Sequence, residues 1–219
     1  MKNERILIIG AHPDDEVLGC GGIINRFYKG NEICVFISGE GSSCRCGYKK
    51  SDIIKRQEMS KDALAILSDN DSKISFGSGI CGNFRNQDIN LIKSEIESII
   101  SDFDPTVVFS HYNNDNNLDH NVINEYTRIA TRPYLNNSIH SVYQYEVLSS
   151  TDRAGFNPNV YFTLSEENIN LKIEAMNCFN TEQNHASRTG DGLKTLAKFR
   201  GFHIGKTYAE SFILESMVK

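Results

Sequence analysis

No run of about 18 consecutive apolar residues occurs in this chain of 219, so no membrane-spanning helix is expected. A positive surplus is missing too: 23 Lys and Arg stand against 28 Asp and Glu, a formal charge of −5. That removes the broad basic field with which nucleic-acid-binding proteins hold phosphates. No G-x-G-x-x-G follows the first apolar run and no G-K-[ST] is present, which argues against a nucleotide-phosphate loop. Internal repeats, low-complexity segments and linkers are absent, and the expectation is one domain over residues 1–219. The opening MKNERILIIG is charged and then only briefly apolar, so it reads as a first strand and not as a signal peptide. A cytoplasmic setting is therefore expected, with Cys20, Cys34, Cys44, Cys46, Cys81 and Cys178 as free thiols. Cys44 and Cys46 form C-x-C, but no further Cys or His pair follows at zinc-finger spacing. Their segment reads as a mobile loop.

What is present is an alternation of strands and helices. RILIIG (Arg5 to Gly10) is a buried strand, and a helix runs from about Glu16 to Tyr28, closed by Gly30. EICVFISG is the second strand, and DIIKRQEMSKDALAILSDN is the next helix. INLIKSEIESIISDF carries apolar residues at three- and four-residue spacing and stops at Asp104-Pro105. TVVFS, SVYQYEV, NVYFTL and AESFILE read as strands. Helices fill 121–132, the stretch capped by Ser165, and about Leu193 to Gly201. This order implies an α/β fold, a mostly parallel sheet with helices on both faces.

AHPDDE follows the first strand directly, and in open α/β sheets ligands bind at the carboxyl ends of strands. Three adjacent carboxylates repel one another, and a cation would remove that repulsion. His12 and Asp15, three apart, can share one from the first helical turn. A catalytic zinc takes about three protein ligands and keeps a position for water. The third is sought in SHYNNDNNLDHNV, after the strand TVVF at the same sheet edge. His120 is the best choice there, with His111 and Asp115 nearby. Asp14 is left beside the water as a general base. Glu16 reads as a helix-start or supporting carboxylate. Zinc is the preferred metal, with another divalent ion as the alternative.

AHPDDEVLGCGG together with DNNLDH resembles the PIG-L or LmbE-like family of zinc-dependent N-deacetylases, and the likeness extends over nearly the whole chain. It includes SGEGS, Arg56 and Glu58, TRP at 131–133, YEVLSST at 145–151 and the closing LAKFRGFHIGKTYAESF. The resemblance implies a Rossmann-like fold and removal of an acetyl group from an N-acetylglucosamine-type amine. It implies zinc on His12, Asp15 and His120, with Asp14 as base. Arg56 is implied to contact the substrate, the alternative being a surface ion pair with Asp52 or Glu58. Asp119 is implied to orient His120. Many members carry a His, implied to assist the oxyanion, where this chain has Asn117; His111 or His185 are candidates to replace it. Glu40 could support the site, and Arg188, Arg200 and Tyr208 the pocket or subunit contacts. The partner expected is a small N-acetylated sugar or glycoconjugate, with no nucleic acid, no membrane span and homo-oligomerisation possible. Alternatives are an amidase on another amide, such as a thiol-sugar conjugate, and a non-catalytic sugar-binding protein. The segments 41–50 and 77–87 are expected as specificity loops.

Overall fold

The strand residues alternate between two cores, and this alternation sets the layers. In β1 (Arg5–Gly10) Ile6 and Ile8 face one core while Leu7 and Ile9 face the other. β2 (Glu32–Gly39) repeats the pattern, with Ile33, Val35 and Ile37 on one side and Cys34 and Phe36 on the other. A strand covered on both faces is apolar along its covered stretch, which is why these runs are unbroken from Ile6 to Ile9 and from Ile33 to Ile37. The computed structural model describes residues 1–135, 138–151 and 155–219. The first core is closed by α1 (Asp15–Phe27), α2 (Lys50–Ser68) and α6 (Glu166–Asn177); the second by α3 (Ile89–Phe103) and α4 (Leu118–Ala130).

The sheet has seven strands in the order β3-β2-β1-β4-β5-β7-β6. Here β3 is Lys73–Gly79, β4 Val107–His111, β5 Ser141–Tyr145, β6 Val160–Thr163 and β7 Ala209–Met217. β1 to β5 run parallel; β7 is antiparallel to β5, and β6 to β7. A short α5 (Leu148–Thr151) follows β5, and α7 (Gly190–Phe202) precedes β7. The expected mostly parallel α/β architecture is thus present. β3 is the element the sequence did not announce: it covers Gly77 to Gly79, expected as part of a loop. Its KISFGSG is half-buried and edge-placed, with glycines and serines that carry little strand signal.

The chain builds outward from β1 first to β2 and β3, then returns to the other side of β1 with β4. The ends of β1 and β4 therefore flank the point where strand order reverses, the place where such sheets bind ligands. Ile8 pairs with Phe109, which sets Gly10 and His111 level at that edge.

Close packing of α1 against the sheet depends on its glycines. A Cβ on Gly19 would lie 2.2 Å from Cδ2 of Tyr145, and one on Gly22 would lie 2.4 Å from Leu164. The Gly22 and Ile23 amides donate to the buried Glu210 carboxylate, each at 2.8 Å, and Lys172 Nζ joins it at 2.6 Å. Gly19→Ala is expected to destabilise by about 1–3 kcal/mol in urea unfolding, because the ring it meets is fully buried. Wild-type stability of this variant would show that the helix can shift instead.

Candidate metal centre and active site

The site begins where β1 stops. The Ala11 carbonyl accepts from the Gly39 amide, and the Ala11 amide donates to His111 Nε2, both at 2.9 Å. The turn is therefore tied to β2 and β4 at once. Asp14 then adopts φ 112°, ψ −25° as the residue before α1. A positive φ is uncommon for a residue with a side chain, and strain of this kind concentrates at functional sites. The turn buries Asp14 just before α1 and Asp15 in its first turn, where the helix N-terminus favours negative charge.

His12, Asp15 and His120 each offer one ligand atom within 4.8 Å of the others. His12 Nδ1 is 3.6 Å from Asp15 Oδ2, and His120 Nε2 is 3.5 Å from the same oxygen. These separations exceed hydrogen-bonding distance. They match the edges of a tetrahedral set around a zinc ion, about 3.3 Å for bonds of about 2.0–2.1 Å. The donor set, two imidazole nitrogens and a carboxylate oxygen, also fits such an ion. Asp15 is held well below the usual carboxylate range: burial opposes its charge, and the neighbouring histidines, His120 foremost, overcome that. His12 is raised to about 9, since contacts with Asp119 and Asp15 outweigh the burial that opposes its proton. A metal ion would take the place of that proton.

The supporting shell differs in part from expectation. Asp119 meets His12, not His120: its Oδ2 lies 2.9 Å from His12 Nε2. The loop after β3 fixes this carboxylate, with the Gly82 amide donating to Oδ2 at 2.6 Å and the Phe84 amide to Oδ1 at 3.2 Å. The carboxylate beside His120 is Asp115, 3.4 Å from Nδ1. Thr151 donates to Asp115 at 2.5 Å and the Asn117 amide at 2.8 Å. The reason is helical geometry: Asp119, adjacent to His120 on α4, points away from it, whereas Asp115 sits in the preceding turn. Asn117 is the N-cap of α4, its side-chain oxygen accepting from the Asp119 amide at 3.0 Å.

His111 is fully buried and stacks on His120 at 3.8 Å between ring centroids. Its Nε2 accepts from the Ala11 amide and lies 3.0 Å from the Tyr145 hydroxyl. Burial, then the neighbouring His120, pushes it down to about 4. At neutral pH it is therefore an uncharged ring behind Asp15 and a poor replacement for an imidazolium. His185 is exposed, just before a 3-10 turn at Ala186–Arg188, and no contact joins it to the metal-site residues among those described.

Asp14 is buried and bound by two arginines at Oδ2: Arg188 Nη1 at 2.9 Å and Arg56 Nη2 at 3.3 Å. Burial raises it to about 6, opposed by Arg188 and Arg56. Arg56 also donates to the Pro13 carbonyl. It is not a surface residue paired with Asp52 or Glu58; it lies on the buried face of α2 with Ser60, Ala63, Leu64 and Leu67. The three- and four-residue spacing of those positions was the available signal. Glu182, which sequence reasoning missed, is buried and accepts from Arg45 at 2.5 Å, Arg56 at 2.6 Å and Arg188 at 2.6 Å. Glu16 accepts from the Asp14 amide at 2.9 Å, a supporting role. Glu40 joins two loops, accepting from the Ser42 amide at 2.6 Å and the Cys81 amide at 3.0 Å. Arg200 pairs bidentately with Glu146 at 2.8 and 2.6 Å, and Tyr208 packs with Leu164, Ile169 and Ala197.

The cysteines require a correction. Cys44 and Cys81, expected as free thiols, form a disulfide with Cα atoms 5.3 Å apart. The parallel pairing of β2 and β3 brings their following loops together, a proximity no spacing in the sequence discloses. Cys20, Cys34, Cys46 and Cys178 are free.

Comparison with known proteins shows the family and the fold. The family profile of PIG-L, GlcNAc-PI de-N-acetylase, matches residues 7–131. The chain is 30% identical over 178 residues to the uncharacterized deacetylase YaiS of Escherichia coli K12, covering 80% of this chain and 90% of that protein. Its fold is similar to that of N,N'-diacetylchitobiose deacetylase from Pyrococcus horikoshii, with TM-score 0.75 and 19% identity over 96% of this chain and 83% of the other. It is also similar to that of GalB, the 4-carboxy-2-hydroxymuconate hydratase of Pseudomonas putida KT2440, with TM-score 0.79, 18% identity and coverage of 100% and 98%. The last two likenesses speak for the fold alone, since one fold hosts different reactions. The profile spans both halves of the site, from the strand before His12 to the helix that carries His120, and the chain belongs to the PIG-L family.

Proposed function

We propose that the protein is a metal-dependent deacetylase that hydrolyses the N-acetyl group of an N-acetylglucosamine-type sugar or conjugate, releasing acetate and a free amine. The observation that carries this reading is the convergence of His12 Nδ1, Asp15 Oδ2 and His120 Nε2 beside the buried, arginine-held carboxylate of Asp14. Those three residues would hold the ion, zinc by its donor chemistry. A divalent ion bound there supplies Lewis-acid polarisation of water and of an amide carbonyl. Asp14 accepts a proton from the attacking water and delivers it to the departing nitrogen. Arg188 and Arg56 fix the carboxylate that does this, and Glu182 fixes both arginines. Asp119 orients His12, and Asp115 stands behind His120. Residue 117 is an asparagine engaged as a helix cap, and it has no imidazolium to offer an oxyanion. A non-catalytic sugar-binding protein would have no use for a carboxylate restrained in this way. The setting proposed is cytoplasmic, one in which the Cys44–Cys81 bond is open to reduction.

The test is acetate release from a panel of N-acetylated sugars and glycoconjugates with zinc supplied. Release from at least one member is expected, and none from any member would overturn the reading. His120→Ala is expected to reduce bound metal, measured by elemental analysis, from about one ion per chain to background. Unchanged metal content would remove His120 from the site.

A further inference from the structure

The Cys81 sulfur lies at a second metal-ligand cluster. It, a ring nitrogen of His12 and a carboxylate oxygen of Asp119 are all within 4.8 Å of one another. In the disulfide with Cys44 that sulfur has no charge to offer a cation. We propose that Cys81, once released from Cys44, forms with His12 and Asp119 a thiolate-containing site for a zinc-type divalent ion, and that the disulfide masks this site.

Three features support the assignment. A thiolate, an imidazole nitrogen and a carboxylate oxygen are the donors zinc and its analogues favour. Cys81 does not depend on the disulfide for its place: its amide donates to Glu40 at 3.0 Å, and the next amide, of Gly82, donates to Asp119 at 2.6 Å. The sulfur and the carboxylate are thus held on one backbone anchor that survives reduction. Finally, His12 presents its two nitrogens to two different carboxylates, Nδ1 to Asp15 and Nε2 to Asp119. A neutral imidazole has one lone pair. An ion on Nε2 with Cys81 and Asp119 leaves the proton on Nδ1 and withdraws His12 from Asp15 and His120. The two ion sites are alternatives on one ring, and the thiol state selects between them.

Opening the mask takes two electrons and two protons from a dithiol. Its first thiolate attacks one sulfur of the Cys44–Cys81 bond, its second thiol resolves the mixed disulfide, and it leaves as a cyclic disulfide with both cysteines as thiols. Ion binding then releases the Cys81 thiol proton to solvent.

The experiment titrates cobalt(II) into the full-length protein, oxidised or dithiol-treated, and records the near-ultraviolet charge-transfer absorption that only thiolate ligation produces. The band is expected in the reduced wild type and in Cys44→Ser under either condition. It should be absent in the oxidised wild type and in Cys81→Ser. Thiol counting on the denatured protein should find four of the six cysteines free before reduction and six after it. The proposal is overturned by no band in reduced wild type, by a band that survives Cys81→Ser and so belongs to another thiol such as the exposed Cys46, or by six free thiols in the oxidised protein. His120→Ala should keep the band. Failure of every N-acetylated sugar as a substrate would overturn the deacetylase reading and leave this result intact.

Discussion

Asp14→Asn should lower kcat on the best N-acetylated substrate by about 10²–10⁴-fold, the usual contribution of a positioned general base. Bound metal, read by elemental analysis of the same preparation, should not change. Asparagine has the same shape, and its amide oxygen can still accept from Arg188 and Arg56, the groups bound at Oδ2 in the wild type. It cannot accept a proton at neutral pH. Loss of the ion together with activity would mean that Asp14 helps to ligate; full activity would remove it as the base. Either outcome is separable from misfolding by the unfolding transition.

Glu182→Ala should give the largest loss of stability, about 3–5 kcal/mol in urea unfolding, the scale for removing one partner of a buried ion pair. One carboxylate, 4% exposed, serves three guanidinium groups, two of which also hold Asp14. Activity should fall as well, since both arginines lose their restraint. Glu182→Gln keeps the shape and one acceptor, and should lie between wild type and alanine. The same residue sets an acid limit. Burial alone would raise Glu182, but Arg45, Arg56 and Arg188 bring it down to about 2 from an ordinary 4.5. The unfolded chain therefore binds this proton first as pH falls. The stability the cluster contributes is complete above about pH 4.5 and is lost as pH falls through about 2. Glu182→Gln should flatten the stability–pH profile in that window; a profile identical to wild type would show that Glu182 does not carry the effect.

The half of the candidate site on β1 and α1 was legible as a cluster because its residues are consecutive. His12, Asp14 and Asp15 fall in one turn after an unmistakable buried strand. His120 could be found because it follows another such strand, and the topology places both at one edge. Pairing within the shell was not legible. Whether Asp119 or Asp115 attends His120 depends on which way the first turn of α4 faces. Glu182 and Arg188 lie between α6 and α7, where no period marks a residue as buried; their importance arises only from docking on α2 and α1. β3 was lost for the opposite reason, since an edge strand with two glycines lacks the apolar run that revealed its neighbours. The Cys44–Cys81 pair required knowing that β2 and β3 are adjacent.

The reversal of strand order at β1 bears on when the protein could first hold the proposed ion. His12 and Asp119, the orienting pair of the site, are 107 positions apart and meet only across the β1–β4 pairing. A growing or partly folded chain that has assembled β1, β2 and β3 owns one side of the cage and nothing opposite it. An ion held there, as proposed, would thus report long-range closure and be blind to local structure. It would also stabilise only chains that have completed this step, by RT ln(1 + [ion]/Kd). Metal supply would act on the protein as a late checkpoint of folding, drawing the population toward the one arrangement in which both halves of the sheet edge coexist.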